Sequence, residues 1–196
     1  MRNAKPILFA TVMALLLAAT IALGQYARRL VPQPAPADRR PVPEFVLTGN
    51  SGELIRHSDL RGRRYGLLLF SADCEYCADA LQKLDRYFAT SAQHREFYPA
   101  TASPPDRLAE FRARLQLKLP LYRITDETMR RFEASGYPLL ALIDEEGRIV
   151  YRQHGSRDEA FFALVLDRFA SGASLSAEAL REAHEQRGRR AAATEP

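Results

Sequence analysis

Two cysteines, three residues apart, are the side chains whose type and spacing point most directly to chemistry. Cys74 and Cys77 enclose Glu75 and Tyr76, and the chain contains no other cysteine. Cysteines at positions i and i+3 in the first turn of a helix face the same way and can close a small disulfide ring. The first cysteine would lie at the positive end of the helix, where a thiolate is stabilised. The spacing therefore predicts a redox pair in which Cys74 attacks a disulfide and Cys77 resolves the mixed disulfide.

Two other uses of the cysteine pair compete with redox exchange. An inert structural disulfide is disfavoured, because so small a ring constrains the unfolded chain little. Half of a zinc site would need further ligands, and the histidines of the chain are isolated from one another in sequence. They are His57, His94, His154 and His184. We therefore expect redox use, with no bound metal and no cofactor.

The elements around the pair must place its first cysteine at the start of a helix. Residues Leu67 to Phe70 form an unbroken apolar run, typical of a strand buried on both faces of a sheet. From about Cys74 to Phe88, apolar residues recur at helical spacing. This succession of buried strand and helix is stronger evidence for redox use than the spacing alone.

The remaining pattern alternates strands with helices. Further strands are predicted at Phe45–Leu47, Phe97–Ala100, Leu121–Ile124, Leu139–Ile143 and Ile149–Arg152, with a brief helical turn at Ser58–Leu60. Further helices are predicted from Ser103 and its two following prolines, from Thr125 or Asp126 to near Gly136, from Asp158 to Phe169, and from Ser174 to Arg187. This order predicts an α/β sandwich with a central mixed sheet flanked by helices.

Composition sets the class of protein. A chain of 196 residues with 46% hydrophobic residues has enough apolar material for one compact domain and for segments outside it. The formal net charge of +4 comes from basic residues scattered among acidic ones, with no dense basic stripe. We read this charge as a solvated surface and expect no nucleic-acid partner.

The N-terminal region has the features of a membrane segment. Residues 7–23 carry no charge, and Arg2 and Lys5 precede them. An apolar run of this length, extended slightly, can span a bilayer as a helix, and the preceding charges favour a cytoplasmic N-terminus. The alternative is a cleaved signal peptide, because Ala22 and Gly24 are small residues at the spacing a signal peptidase recognises. We expect an uncleaved anchor.

The chain is predicted to contain four segments. Residues 1–30 form the membrane anchor or signal segment, and residues 31–43, with five prolines, form a stiff linker. Residues 44–172 form the catalytic domain, and residues 173–196 form a C-terminal helix with a frayed tail after Arg187.

Five segments follow a pattern known from one family. They are Pro43–Leu47, Ser58–Gly62, Leu67–Cys77, Gly136–Pro138 and Leu142–Val150. On these segments the chain resembles the thioredoxin-like redoxins, specifically their membrane-anchored TlpA-like branch, over about Pro43 to Phe169. The interval from Cys77 to Pro138 leaves room for the extra helix and strand typical of that branch.

The resemblance implies a thioredoxin-like fold in which Pro138 is cis and lies beside the active-site disulfide. The backbone of Tyr137 would then pair with an extended client strand, whereas a packing role for its side chain is equally compatible with the sequence. Members of the branch reduce disulfides of exported proteins, including apocytochromes c during haem attachment. The resemblance thus gives Tyr137 and Pro138 as candidate substrate-binding residues beside the catalytic cysteines.

Departures from the family pattern concentrate around the pair. Relatives often carry Trp, Pro, a buried Asp and an acidic residue at the positions occupied here by Asp73, Tyr76, Leu68 and Ala80. Asp79 adjoins the last of these positions but is expected on a different helix face. Asp73 and Glu75 are expected to oppose a nearby thiolate.

The leading functional prediction is a thiol-disulfide oxidoreductase in the bacterial inner membrane, facing the periplasm. It would reduce protein disulfides and take electrons from a membrane donor. Rival predictions are a thiol oxidase or isomerase, an interaction domain with a vestigial disulfide, and a copper-binding chaperone. The chaperone would use Cys74 and Cys77, with His154 as the nearest candidate for a histidine ligand. A peroxiredoxin would use Ser71 with Cys74, but Leu67 stands where that family carries proline.

Overall fold

The structure is a computed structural model that describes residues 39–91 and 96–192, together with Met13 and Thr20. The chain divides into two compact units, Met1–Gln33 and Pro34–Pro196, and all of the elements given below belong to the second. Within the described residues, no helix combines the length and the apolar character needed to cross a membrane. Apart from Met13 and Thr20, the predicted membrane segment at residues 7–23 lies outside the described residues.

One mixed sheet organises the described part of the second unit. Its strands are β1 (Val46–Thr48), β2 (Leu54–Arg56), β3 (Tyr65–Leu69), β4 (Phe97–Thr101), β5 (Tyr122–Arg123), β6 (Leu139–Ile143) and β7 (Ile149–His154). Their spatial order is β2-β1-β5-β4-β3-β6-β7. Pairing is parallel between β3 and β4 and between β4 and β5, and antiparallel between the other neighbours. The predicted mixed sheet is confirmed.

Helices flank both faces of this sheet. They are a short 3₁₀ helix (His57–Leu60), α1 (Glu75–Thr90), α2 (Pro105–Leu115), α3 (Asp126–Arg131), α4 (Glu159–Ala170) and α5 (Ala177–Ala192). Thr125 caps α3 by accepting the N–H of Thr128, and Asp158 caps α4 by accepting the N–H of Phe161. These caps satisfy N–H groups that have no partner within their own helix.

The sheet separates two apolar cores. The first contains side chains of α1, α2, α4 and α5, such as Leu81 and Phe162, packed on alternate residues of β3 and β6. The second contains the other residues of the same strands together with Phe45, Met129 and Phe132. Because successive strand residues point to opposite faces, the continuous apolar runs at β3 and β6 are divided between the two cores.

Two elements differ from the sequence prediction. Strand β2 was not predicted, because three residues are too few to show an alternating pattern; it pairs antiparallel with β1. Helix α3 was predicted to end near Gly136, but it ends at Arg131. Glu133 has a φ of 49°, a left-handed conformation that stops a helix soon after Arg131.

The ends of the domain also differ from the prediction. Helix α5 begins at Ala177 and extends to Ala192, past the predicted end at Arg187. Leu180 of this helix is buried in the first core. This apolar contact anchors a helix whose outer face is mostly polar. Val42, within the predicted linker, is buried, and its N–H donates to the carbonyl of Gly147. The packed part of the chain therefore includes residues before the predicted start at Glu44.

Candidate active site

The sulfur of Cys74 caps helix α1. Strand β3 runs into a short turn, and Cys74 occupies the N-cap position with an extended backbone. The backbone N–H of Cys77 donates to the Cys74 sulfur at 3.2 Å. A helix N-terminus presents N–H groups without intrahelical partners, and the Cys74 sulfur accepts one of them. The local sequence thus builds the geometry expected of an attacking thiolate.

The two thiols have different surroundings. Cys74 is partly exposed, whereas the side chain of Cys77 is fully buried in the first core with Leu68 and Ala80. Burial, followed by a hydrogen bond with Cys74, raises the pKa of the Cys77 thiol well above its ordinary value. The arrangement fits Cys74 for attack and leaves Cys77 protonated until its proton is removed.

The loop that precedes β6 lies against Cys74. The peptide bond between Tyr137 and Pro138 is cis, as the family resemblance implies. The thiol of Cys74 donates to the backbone carbonyl of Tyr137, with a sulfur-to-oxygen distance of 3.7 Å. The structure therefore brings together all four predicted site residues, which are Cys74, Cys77, Tyr137 and Pro138.

Tyr137 sits at the boundary between the two cores. Its half-buried side chain packs against both, so the side chain has the packing role that the sequence left open. Burial, followed by the charges of Asp126 and Cys77, raises the pKa of its phenol. Among the described residues, no hydrogen bond engages its backbone N–H, and the carbonyl bonds only the Cys74 thiol. The N–H is thus available to an extended peptide, and the carbonyl keeps a second lone pair for one.

An arginine modifies the acidic surroundings expected at the pair. Asp73 forms an ion pair with Arg107 of α2 at 2.5 Å, and Arg107 also binds Glu110 at 3.0 Å. The hydrogen bond to Asp73 raises the pKa of the Arg107 guanidinium. Glu75 is exposed and takes part in none of the ion pairs found among the described residues. The predicted opposition to a thiolate is therefore partly offset at Asp73 and remains at Glu75.

A comparison with protein families identifies the family of this chain. The model of the AhpC/TSA family matches residues 39–152, more than half of the chain. The chain belongs to the AhpC/TSA family. Among curated proteins, none matches the chain.

Solved structures similar to this AhpC/TSA chain share its thioredoxin-like fold. A thiol:disulfide interchange protein of the thioredoxin family from Chlorobium tepidum TLS has a TM-score of 0.56 and 22% identity, covering 71% of this chain and 99% of its own. The exposed lipoprotein thioredoxin of Streptococcus pneumoniae gives 0.54 and 20% identity, covering 66% and 99%. A thiol-disulfide isomerase from Corynebacterium glutamicum gives 0.55 and 19% identity, covering 67% and 96%. The predicted enzyme class, a thiol-disulfide oxidoreductase, agrees with the family and with these relatives.

The turn before Cys74 in the AhpC/TSA chain is fixed by residues that the sequence did not mark as functional. The N–H of Ala72 donates to the hydroxyl of Ser103 at 3.2 Å, and that hydroxyl lies 2.9 Å from the hydroxyl of buried Thr101. Ser103 had been recognised only as the start of a helix. Nothing in the spacing of these residues indicates the contact, because it joins segments that follow different strands of the sheet.

The carboxylate of Asp79 is occupied by structural hydrogen bonds. Its carboxylate accepts hydrogen bonds from Lys83 at 2.6 Å and from Ser156 at 2.5 Å. Burial alone would raise its pKa, but these hydrogen bonds outweigh burial and lower it. Asp79 therefore remains a carboxylate that ties α1 to the segment between β7 and α4, where Ser156 lies.

The described histidines do not assemble a metal site with the cysteines. Within residues 39–91 and 96–192, no three His, Cys, Asp or Glu side chains form a group suited to a metal ion. His154, the histidine considered for copper, has its Nδ1 at 3.1 Å from the carbonyl of Gly136. His184 is exposed on α5, and His94 lies outside the described residues. No donor set in the described chain favours the copper-chaperone alternative.

Proposed function

We propose that the chain reduces disulfide bonds in exported proteins, as a TlpA-like member of its family. The observation that carries the proposal is the Cys74 sulfur, which accepts the N–H of Cys77 and also lies against the Tyr137 carbonyl. A client strand paired with Tyr137 would bring its disulfide to the exposed sulfur of the pair.

The exchange proceeds in two balanced steps. The thiolate of Cys74 attacks one sulfur of the client disulfide, forms a mixed disulfide and releases the other client sulfur as a thiolate. That thiolate can accept the proton of Cys77. The resulting Cys77 thiolate attacks the Cys74 sulfur, which closes the enzyme disulfide and releases the second client thiolate. A membrane dithiol donor would return two electrons to the enzyme.

The proposed location is the bacterial inner membrane, with the catalytic domain in the periplasm. It is supported by the uncharged residues 7–23 and by Arg2 and Lys5 before them. Membrane fractionation of a C-terminally tagged chain should recover the full-length protein with the membrane. Recovery of a shortened, soluble form would instead indicate a cleaved signal peptide.

Turnover of a protein disulfide tests the proposed activity. The full-length chain in detergent should accelerate reduction of insulin disulfides by a small dithiol, and Cys74→Ser should give only the uncatalysed rate. Copper retained stoichiometrically through gel filtration, without disulfide turnover, would favour the chaperone alternative. Turnover of hydrogen peroxide without disulfide turnover would favour a peroxidase.

The direction of electron flow is tested by the reduction potential. Glu75 disfavours a thiolate and therefore favours the disulfide form of the pair, which makes the dithiol more reducing. In a glutathione-buffer titration we expect a value closer to the about −270 mV of thioredoxin than to the about −120 mV of a strong oxidant. A value near the oxidant end would support the oxidase or isomerase alternative.

The identity of the client is tested by trapping. Cys77→Ser should still attack but should leave the mixed disulfide in place, whereas Cys74→Ser should capture nothing. Mass spectrometry of the trapped species would then name the client. An apocytochrome c would support a role in cytochrome maturation, and a broad set of proteins would support a general reductase. Equal trapping by both variants would contradict the assignment of Cys74 as the nucleophile.

A further inference from the structure

Residues 132–138, which we call the client loop, connect α3 to β6 and carry Tyr137. Strand β7 pairs with β6 at the edge of the sheet, with His154 opposite Leu139 and Arg152 opposite Ala141. Leu139 and Ala141 face the second core. Because residues directly opposite each other on paired strands point to the same face of the sheet, Arg152 and His154 lie on the same side of β7 as this core.

Arg152 holds the beginning of the client loop. Its Nη2 donates to the carbonyl of Phe132 at 2.7 Å and to the carbonyl of Glu133 at 3.3 Å. Arg40 adds further contacts, with Nη2 at 3.4 Å from the same Phe132 carbonyl and Nη1 at 2.5 Å from the Glu133 carboxylate. These cations meet the C-terminal end of α3, where carbonyls lack helical partners.

His154 holds the loop one residue before Tyr137. Its Nδ1 lies 3.1 Å from the Gly136 carbonyl, and since a carbonyl can only accept, Nδ1 must carry the proton. On the other side of Tyr137, the N–H of Gly155 donates to the Pro138 carbonyl at 2.9 Å. The carbonyls that flank Tyr137 are therefore both tied to the end of β7. The N–H of Tyr137 and the second lone pair of its carbonyl, whose first partner is the Cys74 thiol, are left for a client.

We propose that His154 and Arg152 are positioning residues for client capture, which hold the client loop so that the Tyr137 backbone meets an extended client strand. The inference rests on the proposed reduction of protein disulfides and extends it to residues outside the cysteine motif. A small disulfide without a peptide backbone makes no such pairing, so its reduction should not depend on the two residues.

The test compares two substrates in the full-length protein. One is a peptide whose disulfide lies within an extended segment, and the other is cystamine, a small disulfide without a peptide backbone. His154→Leu removes one hydrogen bond, so we expect kcat/KM for the peptide to fall about three- to tenfold, mainly through KM. The rate with cystamine should stay within about twofold of the wild-type rate, the range of minor surface changes.

Conservative variants separate positioning from general stability. In His154→Asn the side-chain amide can occupy the place of Nδ1–H, so this variant should recover most of the peptide rate. Arg152→Met should lower kcat/KM for the peptide as His154→Leu does, and Arg152→Lys should recover part of that loss. The two positions can be tested separately, so one variant that fails to fold leaves the other informative. His184→Leu, which replaces the exposed histidine of α5, is the matched control and should change neither rate.

Different results would contradict the positioning role of His154 and the proposed reduction of protein disulfides. Equal slowing of peptide and cystamine by His154→Leu, or no slowing of either, would overturn the positioning role. Failure of His154→Asn to recover the peptide rate in a folded variant would do the same. If the wild-type protein reduces neither substrate, the proposed function itself is wrong.

Discussion

The start of α1 and the client loop both contact Cys74, yet they are held in different ways. The turn and helix start follow β3 directly, and the Cys74 sulfur accepts a hydrogen bond from a residue only three positions later. The client loop is fixed by side chains distant in sequence, such as Arg40 before the first strand and Arg152 in the last strand. One half of the site is therefore local in origin, and the other depends on the assembled sheet.

This difference suggests a division of labour. In the proposed exchange, the start of helix α1 would supply the reacting sulfur through the general physics of a helix N-terminus, which any sequence with a cysteine at the cap can use. The client loop would supply the backbone that meets the client, and its position depends on contacts with residues distant in sequence. Substitutions in the first half should affect exchange with every disulfide, and substitutions in the second should affect exchange with peptides most.

The largest expected effect concerns the apolar anchors of the two halves. Phe132 begins the client loop and is 1% exposed, and Leu81 of α1 is fully buried. Phe132→Ala should lower the free energy of unfolding by about 3–5 kcal/mol and Leu81→Ala by about 2–5 kcal/mol, because each leaves a cavity. Chemical denaturation measures both values.

Activity in the folded fraction then distinguishes the anchors. Phe132→Ala should reduce exchange with a peptide disulfide more than exchange with a small disulfide, whereas Leu81→Ala should not discriminate between them. The division between the two halves would be contradicted if both variants, or neither of them, slowed exchange with the peptide disulfide more than exchange with the small disulfide.

The loss of stability at alkaline pH tests one buried group in each of the two cores. Burial raises the pKa of Cys77 in the first core, and burial, followed by the charge of Glu96, raises the pKa of Tyr98 in the second core to about 12. Above about pH 9 to 10 the unfolded chain loses these protons while the folded chain keeps them, so stability falls as pH rises. Tyr98 alone should contribute a loss of about 1 kcal/mol by pH 11.

Urea denaturation between pH 8 and 11 measures this loss. Tyr98→Phe keeps the ring and removes the phenol, so its stability should decline less steeply than that of the wild-type chain above pH 10. Cys77→Ala should flatten the earlier part of the decline, near pH 9. A wild-type stability that is constant up to pH 11 would show that neither group remains protonated in the folded chain.

A smaller effect is expected from the contact that fixes the turn before Cys74. Ser103→Ala leaves the N–H of Ala72 without its acceptor, which should cost about 1 kcal/mol of stability. The matched control is Ser171→Ala at the exposed end of α4, where the hydroxyl donates to the carbonyl of Arg168. If both substitutions have the same effect, the contact with Ala72 has no special importance for the turn.

The smallest effect is expected from the ion pair beside Cys74. Arg107→Gln leaves the charge of Asp73 unopposed next to the thiolate, so alkylation of Cys74 should slow by about two- to fivefold at low salt. Asp73→Asn should speed alkylation, and the double variant should match Asp73→Asn alone. Arg114→Gln, on the same helix, serves as the control.

The dependence on salt concentration tests whether Arg107 acts through its charge. Both partners are exposed, so the effect of Arg107→Gln should shrink at about 1 M salt, where the Debye length is about 3 Å. An effect that is unchanged by salt would show that Arg107 acts through packing of α2 and not through its charge.

The sequence predicted the elements whose signals lie within a few residues. The apolar runs at Leu67–Phe70 and Leu139–Ile143 indicated buried strands, and the helix start at Cys74 was identified because a strand precedes it. The predicted end of α3 near Gly136 was wrong, because the left-handed Glu133 stops the helix sooner. Strand β2 was missed because its three residues acquire an extended conformation by pairing with β1.

The sequence by itself determined the position of the cysteine pair at a helix start, because a cysteine at a helix cap and another three residues later need only local backbone geometry. Tertiary structure alone decided the partners of that pair. Arg107 reaches Asp73, Ser103 reaches Ala72, and His154 reaches Gly136 across the sheet. Such contacts depend on strand order and register, which bring distant residues within hydrogen-bond distance and leave no periodic signal along the chain.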